Sequence, residues 1–203
     1  MRTRLLMIAL LAFATFGFSQ EVNTLFSNNG STTKSLGGYG GPLIEVADIN
    51  SDWGIFIGGK GGVIVNRKFA FGGVGKGLVN AMDFSGDDLN ENDDAPLSLT
   101  YGVGGVFVEY ISNLESPIHF SIPIHLMGGE VAVEDATSSG LEIESSGIFV
   151  IEPGINLEFN LAKHFIPGIH ISYRQVLGSS LVNLSDQDLS GVNIGLVFKF
   201  GAF

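Results

Sequence analysis

The 203-residue chain has no cysteine, which excludes a disulfide framework, a thiol nucleophile and a thiolate metal site. Stability must come from core packing and backbone ladders. Charge is also scarce: Asp, Glu, Lys and Arg make up 15% of the sequence, against about 25% in soluble domains. Basic residues are the scarcer kind, ten against 21 acids for a net charge of −11, which argues against nucleic acid as a partner. After the N-terminal run no apolar stretch reaches the roughly 20 residues of a spanning helix, and no segment combines sustained helical spacing with a cap. Yet 45% of residues are hydrophobic and the mean hydropathy is +0.34. So much apolar surface without spanning helices must be distributed along alternating strands.

The chain opens with Met1-Arg-Thr-Arg4, continues apolar from Leu5 to Phe18 except for Thr15 and Gly17, and then reads Ser19-Gln20-Glu21. A basic start, a short apolar centre and a small residue before polar ones are the parts of a secretory leader, expected at 1–19 with cleavage after Ser19. Its apolar run, about 14 residues, is shorter than a membrane span. The remainder is expected to comprise an N-terminal segment at 20–35 and one domain at 36–203.

Read with period two, that domain falls into eight segments near 36–48, 53–65, 69–80, 97–111, 117–129, 147–161, 165–177 and 191–202. Ile118, Phe120, Ile122, Ile124 and Leu126 oppose His119, Ser121, Pro123 and His125; Ile169, Ile171 and Tyr173 oppose His170, Ser172 and Arg174. Such alternation fits a soluble lipocalin-like barrel with its apolar face inward or a membrane barrel with that face outward. The polar face favours the second, because it carries Glu, Arg, Lys, His and Gly rather than a solvating mixture. The expected fold is all-β, an eight-stranded antiparallel up-and-down transmembrane β-barrel. In its lumen Lys60, Lys76, Arg174 and Lys199 are expected to pair with Glu109, Glu152 and Glu158, since unpaired charge in a narrow lumen is costly.

The connections sharpen this reading, because membrane barrels have short periplasmic turns and longer external loops. Links at 66–68, 112–116 and 162–164 are short, whereas 81–96, 131–146 and 178–190 are long. The first external link, at 50–52, is a short exception. The long links hold twelve of the 21 acids and no Lys or Arg; the short ones hold Arg67, Lys68 and Lys163. Polarity alone would not separate the signs.

Glycine recurs within strands, in Gly58-Gly59-Lys60-Gly61-Gly62, Gly72-Gly73-Val74-Gly75-Lys76-Gly77 and Gly102-Val103-Gly104-Gly105. No Ser or Thr follows the lysines to open a helix, so these are not phosphate loops; they suit strong strand coiling. With these runs, the Gly37-Gly38-Tyr39-Gly40-Gly41-Pro42 opening and the terminal Phe203, the chain resembles small outer-membrane β-barrel proteins of Bacteroidota. The resemblance implies a Gram-negative outer membrane and insertion by the barrel assembly machinery through the last strand, with Phe198, Phe200 and Phe203 as the signal. Lys199 and Gly201 stand where apolar residues alternate back from the end, so a bulge near Gly201 is expected to restore the register.

Chemistry is sparse. His119-Phe-Ser121 and His170-Ile-Ser172 resemble the His-x-Ser pair of outer-membrane lipid A deacylases, in which His would activate Ser for attack on an ester; in this phase, however, both face the lumen. Asp87, Asp88, Asn90, Glu91, Asn92, Asp93 and Asp94 gather oxygen ligands suited to calcium, without the glycine turn and closing glutamate of an EF-hand. His119, His125, His164 and His170 show no paired ligand spacing. The expected role is non-enzymatic, structural, adhesive or interacting through acidic surface loops, with outer-membrane lipid around the barrel and an extracellular partner at the loops. An acyl hydrolase and a soluble periplasmic carrier are the alternatives, and no cofactor other than calcium is suggested.

Overall fold

The computed structural model describes residues 35–50, 52–80, 83–85, 96–135, 141–182 and 184–203. The expected leader, nearly all of 20–35 and the acidic run containing Asp87, Asp88, Asn90, Glu91, Asn92, Asp93 and Asp94 lie outside the described residues. The described elements are β1 (Leu36–Ile49), β2 (Asp52–Val65), β3 (Phe69–Leu78), β4 (Asp83–Ser85), β5 (Pro96–Ile111), β6 (Ile118–Asp135), β7 (Leu141–Phe159), β8 (Phe165–Leu177), a single helical turn α1 (Asp186–Leu189) and β9 (Gly191–Ala202).

Sequential neighbours pair antiparallel in the order β3-β2-β1-β9-β8-β7-β6-β5, and β3 pairs with β5 from Phe69↔Tyr110 to Gly77↔Gly102. The sheet therefore closes as an eight-stranded barrel, which satisfies the ladder groups that an open edge would leave bare in hydrocarbon. β4 is not a ninth stave, since its three residues pair only with the end of β5, at Ser98, Leu97 and Pro96.

Each strand obeys the two-residue period. On β6, Ile118, Phe120, Ile122, Ile124 and Leu126 are exposed while His119, Ser121 and His125 are buried. On β7, Phe149, Ile155 and Leu157 face out and Glu152, Asn156 and Glu158 face in. A soluble carrier requires the opposite phase, so the apolar belt is a lipid-facing surface. Aromatic side chains mark its margins: Phe69, Phe71, Tyr110, Phe120 and Phe200 at the short-turn end, and Trp53, Phe149 and Tyr173 towards the other.

The charged pairs of the interior lie in its middle. Towards the long-loop end Ile49, Phe56, Leu99, Tyr101, Val131, Val133, Ile148, Val150 and Val176 are buried, joined by Leu181, Leu184 and Leu189 of the β8–β9 link. At the other end Ile64, Ala70, Phe107, Ile111, Leu114 and Ile166 do the same. Apolar layers thus close both mouths. The link expected at 131–146 is largely ladder rather than loop: β6 and β7 stay paired to Asp135↔Leu141, with a register shift between Val133 and Glu134. The inward phase of Val131 and Val133 carries β6 up to the acids that suggested a loop.

Local geometry explains two features of the sequence. Asn66 and Arg67 have φ of 54° and 56°, and Lys68 N–H donates to the Val65 carbonyl at 3.2 Å. Two successive left-handed residues give the turn whose twist matches its strands, hence the short β2–β3 link. At Gly62 a Cβ would lie 2.1 Å from the Phe71 carbonyl oxygen, so only glycine permits this approach of β2 to β3. The expected bulge near Gly201 is absent: pairing runs uninterrupted through Gly38↔Ala202, Tyr39↔Gly201 and Gly40↔Phe200. Phe200 accordingly faces out, and Phe203 packs against the interior cluster.

Arginine at outward Ile155 is expected to cost about 2–4 kcal/mol, and arginine at Ser145, on the β6–β7 hairpin, about 0–1 kcal/mol. Reversible urea unfolding in lipid vesicles measures the contrast; equal costs would place both positions in the same medium.

Candidate functional site

The barrel middle holds two ion clusters joined by one amide. In the cluster nearer the short turns, Lys199 Nζ lies 2.7 Å from Glu109 Oε1 and 2.6 Å from Glu158 Oε1, while Lys60 Nζ is 3.2 Å from Glu109 Oε2. Tyr39 O–H donates to Glu109 Oε2 at 2.5 Å, Ser121 Oγ lies 2.5 and 2.7 Å from Glu109 Oε1 and Glu158 Oε1 with its one hydrogen between them, and His119 Nε2 lies 3.1 Å from Glu158 Oε2. Lys199 also sits 4.8 Å from the Tyr39 ring centre and Lys60 4.8 Å from that of Phe107. Every carboxylate oxygen of Glu109 and Glu158 is thereby engaged, which is what makes buried charge tolerable.

In the second cluster Lys76 Nζ bridges Glu45 Oε2 at 2.5 Å and Glu152 Oε2 at 2.7 Å. Ser172 O–H donates to Glu152 Oε1 at 3.0 Å, and His125 Nδ1 lies 3.4 Å from the same oxygen. His170 Nε2 is 3.1 Å from Glu45 Oε1. Asn156 links the clusters, with Nδ2 among Glu109, Ser121 and Glu158 and Oδ1 2.5 Å from His170 Nδ1.

Arg174 departs from the expected pairing. Its Nε donates to the Leu189 carbonyl at 2.8 Å, Nη2 to the Asp48 carbonyl at 2.7 Å and Nη1 to Asn193 Oδ1 at 2.8 Å, with no carboxylate partner among the described residues. The guanidinium lies 5.3 Å from the Phe56 ring centre and 5.8 Å from that of Tyr101. It ties α1 and the end of β1 across the mouth, where the carbonyls freed by the chain reversals need donors. Asn50 N–H adds a bond to the Asp188 carbonyl at 2.8 Å. The Asp188 carboxylate in turn accepts Ser185 O–H at 2.6 Å and N–H at 2.9 Å, which hold it below the ordinary aspartate range. That contribution to the cap is present at neutral pH and fades as pH falls through the lowered value.

Neither His-x-Ser pair forms a nucleophile and base. Ser121 and Ser172 give their hydroxyl hydrogens to carboxylates, His119 and His170 turn to other partners, and all four are buried away from lipid. Sequence reasoning overlooked Glu45, which with Glu109, Glu152 and Glu158 sets four acids against Lys60, Lys76, Arg174 and Lys199. Its signal was an acid in the phase of Leu43 and Ala47, buried with them. The histidines, judged unrelated by spacing, also meet: the His125 and His170 rings stack 5.9 Å apart.

Outside the belt the ends differ in sign. Asp48, Asp52 and Glu130 are exposed on the long-loop side, with Glu134, Glu144, Asp186 and Asp188 partly so. Arg67, Lys68 and Lys163 are exposed at the short turns, and Arg67 pairs with Glu115.

No protein-family model and no curated protein matches the chain. Among solved structures, Neisserial surface protein A (NspA) aligns with a TM-score of 0.59 at 10% identity, covering 83% of this chain and 99% of that one. The fold is a transmembrane β-barrel. Ail, the attachment invasion locus protein of Yersinia pestis, aligns with a TM-score of 0.48 at 11% identity in its complex with the heparin analogue sucrose octasulfate, covering 84% of this chain and 99% of Ail. A second Ail structure gives 0.47 at 12% identity, covering 82% and 97%.

Replacing Lys199 by Met strands Glu109 and Glu158 with too little positive charge and should destabilise the barrel by about 3–5 kcal/mol. Adding Glu158→Gln should recover part of that loss in the same urea titration; a neutral single variant would show that the pair is not ionised.

Proposed function

We propose that the chain is a non-enzymatic outer-membrane barrel that acts at the cell surface as an adhesion or interaction module. The observation that carries this reading is the separation of charge between the two ends. Long connections and the extended β6–β7 hairpin present acids without an exposed Lys or Arg among the described residues, and the basic side chains gather at the short turns. Among the described residues, a lumen filled by ion pairs and closed by apolar layers gives no passage for solutes and no activated serine, which favours the loops as the surface able to act.

In this reading a leader removed after Ser19 directs export, and the barrel assembly machinery inserts the chain through β9. Outer-membrane lipid then surrounds the belt, and the acidic end faces outward towards a positively charged partner. Electrostatic complementarity of that kind sets encounter rate and salt dependence more than final affinity.

Cells carrying the chain should bind polylysine-coated beads at low salt more than cells without it, and lose that binding as salt rises. Changing Asp87, Asp88, Asp93 and Asp94 to Asn should slow capture by about tenfold, whereas neutralising Arg67, Lys68 and Lys163 should leave it unchanged. Capture unaffected by the acid changes, or enhanced only by removing those three bases, would refute the outward placement of the acidic end.

A further inference from the structure

The second lumen cluster leaves three ligand atoms pointing at one another without a hydrogen bond among them. Nδ2 of Asn156 lies 3.1, 2.9 and 3.2 Å from acceptors on Glu109, Ser121 and Glu158, which fixes the orientation of its amide. Oδ1 therefore faces His170 Nδ1 at 2.5 Å and can only accept, so Nδ1 carries a proton. Nε2 is then the ring nitrogen turned to the carboxylates, the arrangement in which a histidine held through Nδ1 presents its other nitrogen either to a proton or to a metal ion.

That nitrogen looks towards carboxylate oxygens rather than a donor. Glu45 Oε1 is 3.1 Å away and Glu152 Oε1 is 3.8 Å away. Neither His170 Nε2 nor Glu45 Oε1 has a hydrogen-bond partner among the described residues, and both side chains are fully buried. The one nearby ammonium, Lys76, lies against the other oxygen, Oε2, of each carboxylate and so holds both in place. Two acids against one ammonium leave a carboxylate charge whose contact partner at this point is His170, in surroundings where unpaired charge is costly. A metal ion placed among the three atoms would offset it in the place of a proton on Nε2.

We propose that Glu45, Glu152 and His170 form a binding site for a divalent metal ion of the zinc class, built into the barrel middle. The three ligand atoms lie within 4.8 Å of one another. Bond lengths of about 2.0–2.1 Å in tetrahedral geometry require ligand atoms about 3.3 Å apart, and the separations of 3.1 and 3.8 Å bracket that value. His125 brings a second imidazole, with Nδ1 3.4 Å from Glu152 Oε1 and neither ring nitrogen hydrogen-bonded among the described residues. One imidazole with two carboxylates is a donor set that zinc accepts. The ion would pin β1, β7 and β8 across the barrel.

The full chain, refolded in detergent micelles after chelator treatment, should take up one Zn²⁺ by calorimetry. Co²⁺ in its place should show the intense visible absorption of a tetrahedral ion. His170→Gln and Glu45→Gln should each weaken uptake by about 100-fold or more, and changing Asp87, Asp88, Asp93 and Asp94 to Asn should leave it intact. Absence of saturable binding, binding indifferent to His170, or binding lost with the loop acids would overturn the site. Should the lumen variants fail to fold, the wild-type chain still decides. Nitrogen NMR of His170 at saturating zinc should show a metal-bound Nε2, and a persisting imidazolium signal would mean that a proton occupies the point instead.

Discussion

Two lysines, each clamped between two glutamates, stand in the middle of a barrel whose outside meets hydrocarbon. Lys199 joins Glu109 to Glu158, and Lys76 joins Glu45 to Glu152. In water such pairs contribute little. Enclosed by a closed wall, each depends on its partners being in place, because a lone buried charge is strongly unfavourable. The pairs cross strands distant in sequence, so the register of the whole sheet is tied to them. A slip of one residue would turn glutamates to lipid and isoleucines to the lumen.

The same constraint shapes the ends. Each acid that reached the mouth would meet water and loosen the network, and the structure instead seals the polar middle with apolar layers. Leu181, Leu184 and Leu189 come from a link rather than a strand, and Arg174 supplies the donors that hold that link against β1. Rigidity inside the belt leaves variation to the connections, where the sign of charge is sorted by end.

Much of the barrel was legible because a lipid-facing wall imposes a strict two-residue period, and β8 and β9 match their expected bounds of 165–177 and 191–202. What stayed hidden depends on relations across strands. Glu45 shares its phase with Leu43 and Ala47, and nothing local to β1 shows that Lys76 waits opposite. Arg174 reads as one more lumenal base until the fold brings the Leu189 and Asp48 carbonyls to it. His125 and His170 are 45 residues apart on β6 and β8; their stacking depends on the register through β7, which spacing in sequence does not encode. The β6–β7 hairpin was shortened because its acids resemble a loop, whereas Val131 and Val133 continue the inward phase.

The absence of cysteine makes a direct examination of the central arrangement clean, since any introduced thiol is unique. Single cysteines placed in turn along 149–158 of β7, spin-labelled in lipid vesicles, should relax in the presence of lipid-dissolved oxygen at Phe149, Ile151, Ile155 and Leu157. Labels at Val150, Glu152, Asn156 and Glu158 should be shielded. That period, in that phase, is required by an apolar wall around a charged lumen; the reverse phase, or no period, would contradict it.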